Sequence, residues 1–218
     1  AYDSVDFTLF SAPFGSILKG VHHYAWNLLL VLAIFHLART FVAGAYRKPR
    51  QLTWISGVAI LGLLPLFIIT GDLLPWDQRG YWSTQVRMSI IASIPFAGDM
   101  AVRILQGGAL TGIVALTRFY VLHILFLPCL LALLLAVHFY FVARHGFAER
   151  LNGKQAADHP IAFFPRVVNR WLVLFIVTVS LIALLTYYWP PPLGDPADPT
   201  DSTYVPKPEW WVLFLNQL

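Results

Sequence analysis

Four long apolar runs set the pattern of the chain: Ile17–Ala43, Leu52–Leu73, Leu116–Ala143 and Val167–Trp189. Each reaches the roughly 20 residues that a helix needs to cross a bilayer. A fifth run begins at Trp210 and reaches Leu218. The stretch from Asp72 to Arg118 holds aromatics, Pro75, Pro95 and several glycines, with apolar segments too short to cross. It is expected to form short surface helices. PPPLGDPADP after Trp189 is expected to be irregular chain. The expected fold class is all-α, a polytopic membrane helix bundle.

Composition agrees with the pattern. Of 218 residues, 58% are hydrophobic and 12% charged, where a soluble domain carries about 25% charged residues. That excludes a soluble globule, and 33 aromatics (16 Phe, 9 Tyr, 8 Trp) exclude disorder. The single Cys129 excludes an intrachain disulfide and a cysteine-zinc cluster. The net charge of +4 is no nucleic-acid signal; its distribution matters more. Arg47, Lys48, Arg50, Arg144, Arg150, Lys154, Arg166 and Arg170 follow the first and third runs. Acidic residues, among them Asp72, Asp77, Asp99, Asp195, Asp198, Asp201 and Glu209, dominate the opposite side. The positive-inside rule places the basic side in the cytoplasm, so the first and third spans run parallel, both inward. The opening AYDSVDF lacks the basic and apolar regions of a signal peptide.

Histidine inside a membrane span needs a partner, and five lie in two spans. His22 and His36 are 14 residues apart. At about 100° per residue they fall about 40° short of four turns, on one face and roughly 21 Å apart. His123 and His138 are 15 apart, which leaves an offset of about 60° and a rise of roughly 22 Å. Two parallel helices, each with two inward histidines at matching heights, can clamp two haem irons. The pairs are His22 with His123 near one face and His36 with His138 near the other. A helix–helix hydrogen bond is the alternative for any single one. His23 breaks the ladder, and His145 and His159 lie in loops. Arg39, beyond His36, either pairs with a haem propionate or snorkels to the interface.

This spacing resembles cytochrome b of the quinol–cytochrome c (or plastocyanin) oxidoreductase complexes. RKPRQLTW, TGDLLPWDQRGYW, IPFAG, LTRFYVLH and GDPADPTDSTYVPKPEWW carry the same resemblance along nearly the whole chain. The 15-residue histidine step and the LPWDQ and GDPADP wording look closer to the photosynthetic and related bacterial branch than to the mitochondrial one. The fused fourth span looks like the unsplit arrangement. The family has a span ahead of the haem-binding one and further spans after the PEWY-like motif; here the chain is expected to begin after the first and stop before the last. Its expected domains are 1–145, of the di-haem N-terminal type, and 146–218, the start of the C-terminal type. Two tyrosines of the family are Asp72 and Trp211 here.

The resemblance implies a quinol-oxidising site between PWDQ and PEWW, with Glu209 accepting a proton; the alternative role for Glu209 is a helix cap. Asp77 and Arg79 read as surface or helix-start residues. Gly71 leaves room beside the upper haem or ends its helix as a cap. Arg118 is placed to hold a propionate of that haem. Arg144 neutralises a lower propionate or reduced quinone, or anchors the helix at the interface. The implied cofactors are two non-covalent b haems. The implied function is bifurcation: one quinol electron goes to a Rieske iron–sulfur protein and a cytochrome c-type carrier. The other passes through the His22/His123 haem to the His36/His138 haem and to quinone, coupled to proton translocation. A dimeric complex embedded in lipid, without nucleic acid, is expected. The alternative is a di-haem membrane anchor that passes electrons between quinone and a dehydrogenase or hydrogenase.

Overall fold

The computed structural model describes residues 1–108, 110–146, 165, 168–201, 203–207 and 210. Among these the chain is helical, with one isolated antiparallel bridge. The helices are α1 (Tyr2–Phe10), α2 (Gly15–Val42), α3 (Gln51–Asp72), α4 (Gln78–Ala92), α5 (Gly98–Gln106), α6 (Ile113–Val121), α7 (Leu127–His145) and α8 (Val168–Tyr188). A π-helical turn, Leu122–Phe126, joins α6 to α7 without a break. Four stretches are long and apolar enough to cross a membrane: α2, α3, the continuous Ile113–His145 helix and α8. They match the four apolar runs. The expected fifth span lies outside the described residues beyond Trp210.

The helices fall into two compact units. One holds residues 1–7, 63–130 and the described residues from 192 onward. Here α4, α5 and α6 pack on one another around Leu73, Met88, Ala115 and Phe119, all nearly inaccessible. The long segment between the second and third spans is therefore two helices with an apolar centre, as expected from its short apolar stretches. Asp77 begins α4, its Oδ1 accepting the Gly80 amide at 2.8 Å. An acidic side chain there satisfies an orphan donor of the first turn. The sequence signalled a helix start at Asp77, but Asp77 is 4% exposed and so not on the surface.

α1 was not expected. Its nine residues have no apolar periodicity long enough to read. It is held at its start by Asp3 in the first turn and by the Tyr2 hydroxyl, which donates to the Gly194 carbonyl at 3.0 Å.

The other unit holds residues 8–62, 131–146 and the described residues up to 191. In it α2 packs on α8. A Cβ at Gly20 would meet Thr186 Cγ2 at 2.2 Å, so only glycine permits this approach. Small residues at such crossings let helices associate in lipid, where hydrophobic driving force between them is absent.

Candidate functional site

α3 carries the same dipeptide chemistry twice. Ser56–Gly57 and Thr70–Gly71 are 14 residues apart, the interval that also separates His22 from His36. In one unit, Thr70 Oγ1 lies 3.2 Å from Nδ1 of His123. A Cβ on Gly71 would stand 2.6 Å from Cε1 of that ring. Phe67 closes the seat edge-on, its centroid 5.7 Å from the imidazole. In the other unit, Ser56 Oγ lies 3.0 Å from Nδ1 of His138. A Cβ on Gly57 would stand 3.3 Å from Cε1. His36 is close enough to His138 to act on it electrostatically.

Gly71 lies within α3 and is not among the left-handed glycines of the described residues, which are Gly44, Gly107 and Gly146. A left-handed helix cap therefore does not describe it; a close approach does. Each seat grips a ring by Nδ1 and presents a bare backbone to its edge. Imidazoles held by Nδ1 in apolar spans leave Nε2 to bind iron, so His123 and His138 would suit a haem.

The 15-residue step from His123 to His138 is one longer than the 14-residue step between their seats. The π-helical turn at Leu122–Phe126 contains His123 and absorbs the extra residue. With one residue absorbed, the step behaves as one of 14 residues, about 40° short of four turns, as for the seats on α3.

Next to the His123 seat, the end of α3 carries a buried carboxylate. Asp72 accepts from Arg87 at 2.7 Å and is 3.5 Å from Arg79; its side chain is 6% exposed. Tyr204 feels Asp77, Arg79 and Asp72 electrostatically, and burial first, then Asp77, holds its phenol above the ordinary range. It stays a neutral hydroxyl at neutral pH.

The LPWDQ and GDPADP motifs, distant in sequence, meet here. The Gln78 amide donates to the Asp195 carbonyl at 2.9 Å, and the Ala197 amide to the Trp76 carbonyl at 3.0 Å. Asp77 Oδ2 takes the Gly194 amide at 3.2 Å. Trp76 holds a positive φ of 56°, a backbone state rarely adopted by a bulky residue.

The arginines are placed as follows. Arg118 donates from Nη1 to the Arg103 carbonyl at 3.0 Å and to the Ile104 carbonyl, closing the end of α5. Arg39 lies in the last turn of α2 and Arg144 in the last turn of α7, where cations suit the helix dipole. His22 is on α2. His23 meets Tyr24 and Trp26 edge-on. Glu209, Trp211 and most of the PEWW segment lie outside the described residues. Sequence reasoning passed over Ser56, Gly57 and Thr70; the signal was the 14-residue repeat of hydroxyl–glycine along α3.

The chain is similar to known proteins over much of its length. The family model described as cytochrome b(N-terminal)/b6/petB matches residues 27–196. Cytochrome b6 of Synechococcus sp. (strain CC9605) is 36% identical over 151 residues, 69% of either chain. Cytochrome b6 of Prochlorococcus marinus (strain MIT 9303) is 37% identical over the same length and the same shares. A solved structure called "Hyperthermophilic respiratory Complex III" aligns with TM-score 0.84 and 25% identity over 98% of this chain. The chain spans 59% of that structure's length. Four membrane-crossing helices and these matches establish a multi-pass membrane protein, and the chain belongs to the cytochrome b(N-terminal)/b6/petB family.

Proposed function

We propose that this chain is the di-haem cytochrome b subunit of a quinol-oxidising complex. The observation that carries the reading is the repeated hydroxyl–glycine seat on α3, one for His123 and one for His138. Two seats at the interval of His22 and His36 support two bis-histidine sites, His22/His123 and His36/His138. Haem b, when bound, supplies a one-electron couple at each site. The chain's residues do the rest. The histidines hold the iron, and Gly57 and Gly71 leave room against the rings. Arg39, Arg118 and Arg144 supply positive charge toward propionates, and for Arg118 beyond its bonds to α5.

Quinol gives up two protons and two electrons. Glu209 holds one of those protons in transit, with LPWDQ and the segment 194–197 that bonds to it shaping the near wall. One electron leaves to a Rieske iron–sulfur protein and a cytochrome c-type partner; the other crosses the membrane to quinone. The arrangement is a dimeric complex in lipid, with residues 1–145 forming the di-haem domain and 146–218 opening the next.

Pyridine haemochrome analysis of the purified complex is expected to find two non-covalent b haems on this chain. His36→Leu is expected to remove one and leave the other spectrally intact. A single haem, or loss of both together in the variant, overturns the assignment.

A further inference from the structure

We infer that Ser56 and Thr70 are positioning residues that fix the tautomer of His138 and His123 and set the electron donation of each ring. This rests on the reading of those histidines as haem ligands.

A hydroxyl has one hydrogen and two lone pairs. Thr70 Oγ1 spends its hydrogen inside α3, on the carbonyls of Leu66 at 2.7 Å and Phe67 at 3.2 Å. Ser56 Oγ spends its hydrogen on the Thr53 carbonyl at 2.9 Å. Each oxygen therefore turns a lone pair toward the imidazole, and Nδ1 must be the protonated nitrogen. With Nδ1 carrying the hydrogen, the lone pair of each neutral ring is on Nε2, the nitrogen for iron.

The hydroxyls are not interchangeable with surface serines or threonines. Thr70 and Ser56 are each 6% exposed. Each immediately precedes the glycine that lets its ring approach, so hydroxyl and gap are set by one helical turn. An accepting oxygen on Nδ1–H raises the basicity of the ring, which favours the ferric over the ferrous state.

The test is redox titration of the two b-type components in the intact complex, with the low-spin ferric electron paramagnetic resonance signal as a second readout. Thr70→Val keeps the shape and removes the hydroxyl; Thr70→Ser keeps the hydroxyl. Thr70→Val is expected to raise the potential of one component only, by about tenfold in the ferric-to-ferrous ratio, or about 59 mV for a one-electron couple. Its resonance signal moves with it, and Thr70→Ser stays close to wild type. Ser56→Ala does the same to the other component, and Ser56→Thr spares it. Loss of haem from Thr70→Val but not from Thr70→Ser also supports the role.

Unchanged potentials and signals in Thr70→Val with both haems present overturn it. Loss of haem from both Thr70 variants overturns it too, because packing and not the hydroxyl is then required. His123→Leu serves as the separate control: if that variant keeps both haems, the ligand reading fails and the seat is not at issue.

Discussion

Thr70 and His123, 53 positions apart, meet with Oγ1 at 3.2 Å from Nδ1, and one helical repeat earlier Ser56 meets His138 in the same way at 3.0 Å. α3 thus carries two hydroxyl–glycine rungs that differ in how closely each ring approaches. The first consequence concerns the glycines. Gly71→Ala puts a methyl 2.6 Å from the His123 ring, whereas Gly57→Ala puts one at 3.3 Å from His138. Gly71→Ala is expected to displace its ring and lower the content of one haem sharply. Gly57→Ala is expected to need a shift of a few tenths of an ångström and to keep both. Haem-to-protein ratios of the two variants check this; equal losses would show that ring approach is not what the glycines serve.

The π-helical turn makes a second prediction. Deleting Ile124 shortens the His123–His138 step to 14 residues, the length of the seat interval on α3. A regular helix then carries both rings to their hydroxyls, and the variant is expected to keep both haems. Inserting an alanine after Ile124 adds about 100° of rotation and is expected to lose at least one. Haem content of the two variants decides it, and a deletion as damaging as the insertion would sink the idea.

The Asp72–Arg87 pair is nearly dry, with side chains 6% and 16% exposed. Removing one partner of a buried pair costs about 3–5 kcal/mol, while replacing both by apolar groups is often close to neutral. Arg87→Met is expected near the low end, because Arg79 stays at 3.5 Å from the carboxylate. Asp72→Leu combined with Arg87→Met is expected to recover most of the loss. Unfolding midpoints in detergent for the single and double variants measure the coupling, and strict additivity would contradict it.

Asp198 and Asp201 turn back on Thr200 and Thr203. Each carboxylate accepts the threonine hydroxyl and amide, at 2.7 and 2.8 Å for Asp198 and 2.6 and 2.9 Å for Asp201. The side-chain bonds, then the backbone ones, hold both carboxyls below the ordinary range. A depressed folded value means that the turns are fully stabilised at neutral pH. They weaken only as pH falls below about 3.9, the unfolded value, and through the folded one. Amide exchange at Thr200 and Thr203, corrected for the intrinsic rate, is expected to keep its protection at pH 5 and to lose it only as pH falls below about 3.9 and through the lowered folded value. Protection that stays constant down to full protonation of both carboxyls would refute the linkage.

Glu209 is expected to act in proton release. Glu209→Gln keeps size and hydrogen bonding but cannot take a proton, and removing a general base typically costs about 10²–10⁴-fold in rate. Quinol oxidation should slow with both haems retained. A helix cap alone would leave turnover almost unchanged and lower stability by about 0.3–1 kcal/mol. Steady-state turnover with haem content as control separates the two, and wild-type turnover sinks the proton role.

The sequence by itself determined the spans, the all-helical class, the helix start at Asp77 and the family. These are carried by local or cumulative signals: unbroken apolar runs, an acid at a helix start, long ordered motifs. The tertiary structure alone decided which side chains the histidines meet. Serine and threonine are common in helices, and nothing local marks Ser56 or Thr70 as facing a ring that follows 82 or 53 positions later. The π turn was hidden for the same reason. Pro128 has no N–H to give to the Ile124 carbonyl four residues before it, but a proline in an apolar run does not by itself tell a π turn from a kink. Asp72 looked like a bare replacement until Arg87, 15 positions on in α4, proved to hold it. LPWDQ and GDPADP were legible as motifs, but their pairing was not, because a backbone bridge between Asp77 and Pro196 depends on chain closure across two spans and not on either segment's composition.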